Sequence, residues 1–173
     1  MLKPKIAQEY VQIDSQPWMP FPENLSKGGI RWKLLHVSPE VGAWTAIFDC
    51  PKDSSFARHR HIGPGEYLLT KGKMEVRGGA GEGGATATAP GYGYESCNAR
   101  HDRTYFPQAS EFYMTFLGPL EFITEVGATV AVVGWEQAQG LWETQIAGAA
   151  SAKPKKRAVS TKPSTMNTLK KKK

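Results

Sequence analysis

The stretch Phe56-Ala57-Arg58-His59-Arg60-His61-Ile62-Gly63-Pro64-Gly65-Glu66-Tyr67 decides how this chain is read. It runs as a strand up to His61, and successive side chains on a strand point to opposite faces. His59 and His61 therefore share one face, while Arg58 and Arg60 look the other way. Two imidazoles on one face can grip a single metal ion if the fold supplies a third ligand. The chain has four histidines, so only His36 and His101 remain to be that third. A His-x-His pair alone describes a solvent-facing polar strand equally well, and its surroundings have to decide.

Outward from this stretch, strand-like segments come at short intervals. Ile30–Val37 and Ala43–Asp49 alternate, with Trp44, Ala46 and Phe48 on one side. Ser55–His61 reads as one strand, then Tyr67–Thr70, a Lys71-Gly72 turn, and Lys73–Arg77 with Met74 and Val76 on one face. Residues 78–84 are a glycine-rich loop with neither the following helix nor the Lys-Ser/Thr of a phosphate cradle. Ala85–Ala89 is a strand and Pro90–Tyr94 a turn. Arg103–Phe106, Glu111–Leu117 and Leu120–Glu125 follow, with Gly118-Pro119 between the last two. Gly127–Trp142 gives a final strand and at most a short helical turn. With 18 glycines and 12 prolines in 173 residues, this pattern predicts an all-β sandwich or barrel of one domain.

The expected boundaries are an N-terminal arm over residues 1–29, a barrel over 30–146, and a disordered lysine-rich tail over 147–173. The arm is polar and aperiodic apart from Trp18-Met19-Pro20-Phe21-Pro22, an apolar knot suited to packing on the body or on a neighbouring subunit. The net charge of +6 is an effect of the tail. Nine of the 22 basic residues lie from Lys153 onward with no acid, which leaves the body 13 basic against 16 acidic residues, a net −3. A specific nucleic-acid partner is therefore not expected. No apolar run approaches a membrane span and the first residues lack a signal peptide's apolar core, so a cytoplasmic protein is expected, without a membrane partner. Cys50 and Cys97 have no metal-ligand spacing and are expected to be reduced thiols.

His59-x-His61, Glu66 and Gly72, followed by a second block with Pro90-Gly91 and His101, resemble the paired motifs of the cupin superfamily. The resemblance implies a single-domain double-stranded β-helix, a jelly-roll barrel with a metal ion inside. Glu66 to Gly72 is one residue short of the common spacing, and His101 lies further beyond its Pro-Gly turn. These departures narrow the resemblance. His-Arg-His-Ile-Gly-Pro-Gly-Glu-Tyr and Gly-Tyr-Gly-Tyr-Glu-Ser-Cys-Asn-Ala-Arg-His-Asp-Arg-Thr, over residues 59–67 and 91–104, are similar to the acetylacetone-cleaving β-diketone dioxygenases. So is the interval of 40 residues between His61 and His101.

That family implies one Fe(II) per subunit held by His59, His61 and His101, and a three-His site would also take zinc. Spacing alone would add Glu66 as a fourth ligand, whereas the family keeps that carboxylate off the metal. Tyr67, Arg77, Glu95 and Thr104 match polar groups around the metal that orient ligands and order water, and Phe56, Phe112 and Phe116 match the apolar pocket wall. His36 belongs to neither block. The implied reaction takes a β-diketone and O2 to a carboxylic acid and an α-ketoaldehyde; acetylacetone would give acetate and methylglyoxal. Two alternatives are a cupin dioxygenase for a hydroxylated or aryl ketone, and a non-enzymatic zinc-binding cupin sensor of the anti-sigma-factor type. Cupins of this size suggest a homo-oligomer, dimer or tetramer, with the N-terminal arm a candidate for exchange between subunits.

Overall fold

The computed structural model describes residues 10–152 of the chain. Fifteen strands and one helix follow in order: β1 (Met19–Pro20), β2 (Ser26–Lys27), β3 (Arg31–Ser38), β4 (Ala43–Cys50), β5 (Ser54–Phe56), β6 (His59–His61), β7 (Gly65–Lys71), β8 (Lys73–Val76), β9 (Ala85–Thr88), β10 (Gly91–Glu95), β11 (Arg100–His101), β12 (Thr104–Phe106), β13 (Ser110–Phe116), β14 (Leu120–Ile123), β15 (Thr129–Val133) and α1 (Trp135–Ala152). A six-stranded sheet has the order β1-β3-β4-β13-β7-β10. A five-stranded sheet, β2-β5-β12-β8-β9, and a four-stranded one, β11-β6-β14-β15, complete the barrel. All the pairings are antiparallel. The architecture is an all-β barrel, as the strand pattern predicts, and agrees with the jelly roll that the resemblance implies.

Strand β13 shows why these residues form these strands. Ser110, Phe112, Met114 and Phe116 are buried while Glu111, Tyr113 and Thr115 are less so, an alternation that only a two-residue repeat produces. Its inward rings meet those of the facing sheet: Phe112 lies 5.8 Å from Phe106 and 6.2 Å from Phe56, ring centre to centre. Phe48 stacks on Phe112 and meets Phe56 edge-on. Burying an aromatic side chain contributes about 1.5–3 kcal/mol, so this cluster fastens one sheet to the other.

Three expectations are corrected. The run Ser55–His61 is not one strand: it bends at Ala57 and Arg58, so β5 belongs to the five-stranded sheet and β6 to the four-stranded one. Ala57 N–H donates to the Leu25 carbonyl at the bend. Residues 91–94, read as a turn, form most of β10, which pairs along β7 from Gly91↔Leu69 to Glu95↔Gly65. Finally, the segment after β15 is an 18-residue helix, and it carries through residues 147–152, which had been assigned to the tail. Trp142 packs edge-on against Trp32 of β3, and Gln145 accepts from the Trp32 indole N–H at 3.1 Å. The rest of the expected disordered tail, 153–173, lies outside the described residues.

The arm, as far as it is described, folds onto its own barrel. β1 pairs with β3 and β2 with β5, so the segment touches two sheets, and Phe21 sits among Trp32, Phe48 and Phe56. Lys33, on the outer face of β3, is capped by this segment: its ammonium donates to the Ile13 carbonyl and lies 4.5 Å from the Trp18 ring centre.

Candidate metal centre

His59 and His61 stand on the buried face of β6, and Arg60 between them turns outward to pair with Glu121. β11 lies antiparallel beside β6 and sets His101 directly opposite His59. On the other side of β6, β14 places Phe122 against His59 and Leu120 against His61. The three imidazoles form a nearly regular triangle with ring centres 5.0, 5.2 and 5.3 Å apart. One nitrogen from each lies within 4.8 Å of the others. All three residues are at most 5 % exposed.

Burial disfavours the charged form of His59 and His61. It pushes His59 down to about 4 and His61 to about 3, with the neighbouring imidazoles adding to the effect in both cases. A neutral imidazole has one donor and one acceptor nitrogen. His59 donates from Nδ1 to the Ala57 carbonyl at 2.8 Å, which fixes its tautomer and leaves Nε2 as the free acceptor. His61 Nδ1 and His101 Nε2 are buried with no hydrogen-bond partner. Leaving a buried polar atom unsatisfied costs about 1–3 kcal/mol, and three imidazoles with a nitrogen each within 4.8 Å of the others are a donor set of the kind first-row divalent ions prefer. The residues present therefore fit a metal ion.

A narrow chamber opens around this triangle, lined by aromatic and aliphatic side chains from all three sheets. Phe56, Phe112 and Phe116 are in its wall as the sequence suggests, and Phe116 stacks between Trp44 (3.9 Å) and His61 (6.2 Å). Phe21, Trp44, Met74, Met114 and Phe122 line it as well. The alternation of β4 and β8 already put Trp44 and Met74 on inward faces, but Phe21 gave no sign, because the arm has no period to read.

The polar positions separate into those that reach the chamber and those that do not. Glu95 faces it from β10, with Oε2 at 3.0 Å from His101 Nε2, though not aligned for a hydrogen bond. Burial alone would raise its carboxyl, but His101, His61 and Arg77 together outweigh that and hold it below its ordinary value. Thr104, on β12, sits with Oγ1 3.4 Å from His101 Nδ1. Tyr67 lines the wall half-buried, and burial together with the Glu95 charge pushes its phenol up. Arg77 does not line the chamber: it is exposed at the end of β8 with φ of +52° and acts on the site only through its field on Glu95. Glu66 is exposed on the outer face of β7, so the carboxylate nearest the imidazoles is Glu95. His36 is exposed on β3.

Fold and site together define a cupin with a three-histidine metal centre. Residues 7–121 match the family model described as the ChrR cupin-like domain. Over 140 residues the chain is 61% identical to the acetylacetone-cleaving enzyme of Acinetobacter johnsonii, covering 81% of this chain and 92% of that one. The chain belongs to the ChrR cupin-like family and, within the cupin superfamily, to the acetylacetone-cleaving enzymes. A crystal structure of the acetylacetone dioxygenase from Acinetobacter johnsonii matches with a TM-score of 0.78 at 59% identity, covering 84% of this chain and 97% of that one. A Methylibium petroleiphilum PM1 structure, provisionally described as an acetylacetone dioxygenase, matches at 70% identity and TM-score 0.77, over 82% and 99% of the two chains. An RmlC-like cupin of Ralstonia eutropha JMP134 shares the fold at 19% identity and TM-score 0.71, over 87% and 93%.

The buried imidazoles make the metal-free protein sensitive to acid. With folded values of about 4 and about 3 against 6.5 unfolded, protons bind the unfolded chain first. Stability is therefore expected to fall as pH drops below about 6.5, by roughly 1.4 kcal/mol per pH unit for each histidine, until the folded values are reached. Urea unfolding of the metal-free protein at stepped pH measures this. A flat profile between pH 7 and 5 would show that the imidazoles are solvated.

Proposed function

We propose that this protein is an Fe(II)-dependent dioxygenase that cleaves a C–C bond of β-diketones such as acetylacetone with O2, giving a carboxylic acid and an α-ketoaldehyde. The observation that carries the reading is a set of three buried, converging imidazoles inside an apolar chamber, with the Glu95 carboxylate beside them. His59, His61 and His101 would hold the ion. Bound there, Fe(II) supplies the Lewis acidity and the electron-transfer chemistry that couple the diketone to O2.

The chain's own residues set the conditions for that chemistry. Neutral ligands leave the ion's whole charge to attract an anionic enolate. With one divalent cation, one enolate and the Glu95 carboxylate, the buried centre is electrically neutral, which is the state a low-dielectric site favours. Thr104 steadies the His101 ring, Tyr67 closes part of the wall, and Arg77, from outside the chamber, adds to the effect of His101 and His61 that holds Glu95 below its ordinary value. Phe56, Phe112 and Phe116 exclude water and face the substrate's alkyl groups. Among the described residues no helix is long and apolar enough to cross a membrane. Both cysteines are free, which supports a cytoplasmic location.

The test is oxygen consumption by protein reconstituted anaerobically with Fe(II) and given acetylacetone, with a zinc-loaded control. Uptake in step with diketone loss, in the iron form only, is expected. Tightly bound iron without uptake would move the assignment to another ketone. Refusal of iron with retention of zinc would move it to a non-enzymatic sensor.

A further inference from the structure

The inner face of β10 carries Gly91, Gly93 and Glu95, whereas Tyr92 and Tyr94 point outward and are exposed. In the ladder with β7, Gly93 stands directly opposite Tyr67. The Tyr67 ring lies over Gly93: a methyl group built on that glycine would overlap the phenol at Cζ, Cε1 and Oη. The ring is bounded elsewhere too. On the other flank of β7 its ladder partner is the buried Met114 of β13, and Phe112 meets the ring edge-on at 6.5 Å.

We propose that Gly93 is a positioning residue that sets the room available to the substrate, by letting the Tyr67 ring lie against β10 instead of across the chamber. A side chain at 93 would meet the far end of a rotatable side chain, so the ring would yield before the backbone. Met114 and Phe112 close two of the ways it could go, and the chamber beside the three histidines takes it instead. A phenol displaced into this narrow, aromatic-walled chamber would take room beside the histidines that a diketone needs. Gly93 is thus matched to Tyr67: it is useful because a ring stands opposite it, and loses its importance when that ring is removed.

This inference rests on the diketone dioxygenase reading for its substrate but on the β7–β10 ladder for its geometry, and the experiment separates the two. Acetylacetone binding to the metal-loaded protein is measured anaerobically, without turnover, for wild type, Gly93→Ala, Tyr67→Ala and the double variant. Metal content in Gly93→Ala is expected to match wild type while Kd rises by at least about tenfold. In the Tyr67→Ala background the same substitution is expected to change Kd by less than about twofold, a non-additivity that general weakening of β10 would not produce. Equal losses in both backgrounds, or an unchanged Kd in Gly93→Ala, would overturn the proposal. A crystal structure of Gly93→Ala reads the geometry whether or not acetylacetone is the substrate. A Tyr67 ring moved into the chamber supports the proposal, and a ring unmoved or turned to solvent ends it. Failure of wild type to bind acetylacetone, with the ring displaced in the variant, would count against the substrate alone.

Discussion

His101→Ala is expected to leave a folded protein that retains less than about a tenth of the wild-type metal and loses at least about a thousandfold in turnover. The reason is geometric. His59 and His61 come from one short strand, and two imidazoles leave the ion without the third donor that closes the triangle. His101 arrives from β11, where the ladder with β6 sets it opposite His59. The natural control is Glu66→Gln, at the carboxylate that motif spacing alone would recruit. Since Glu66 is exposed on the outer face of β7, its loss should leave metal content unchanged. Metal analysis and oxygen uptake on the two variants decide the matter. Full metal in His101→Ala, or loss of metal in Glu66→Gln, would sink the ligand set.

Trp32→Ala is expected to have the largest effect on stability, about 3–5 kcal/mol, with the centre itself untouched. Trp32 is 1 % exposed. Its ring is held edge-on by Phe21 from the arm and by Trp142 from α1, and its indole N–H donates to Gln145. Truncation would open a cavity between the arm, β3 and α1 and strand the Gln145 side chain, which also donates to the Pro20 carbonyl. Urea unfolding of the metal-loaded protein measures the loss, and metal content at low temperature checks that the triangle survives. A loss below about 1 kcal/mol would mean that α1 is not docked in solution.

The difference between these two variants is also the difference between what the residues announced and what they concealed. His59 and His61 were legible because a strand's two-residue repeat is a local rule. His101 could be reached only through the family resemblance, since no local pattern says which distant strand will lie beside β6. Strand β10 was hidden by its own composition. Pro90-Gly91 and Gly93 carry turn chemistry, and what makes the segment a strand is the ladder with β7 and the Tyr67 ring that covers Gly93. Helix α1 was hidden because Gly140, Thr144 and Gly148 lower its intrinsic propensity. Its signal lies instead in Ala138, Trp142 and Ile146, a stripe at intervals of four that packs on the barrel core. The bend at Ala57 and Arg58 left no mark in the sequence, because it is made by the sheets on either side.

The arm that brings Phe21 into the chamber wall has a consequence for how the molecule comes into being. Phe21 precedes all but the first strand in chain order, and Phe122, on the same wall, lies on β14, the last strand but one. β6 finds its partner β14 only after some sixty intervening residues have been made, with Phe122 settling against His59. The chamber wall is complete only when segments from both ends of the barrel are in place. Contacts so distant along the chain slow folding and favour a late, concerted closure, so an ion-binding triangle and the walls that keep it dry are completed together.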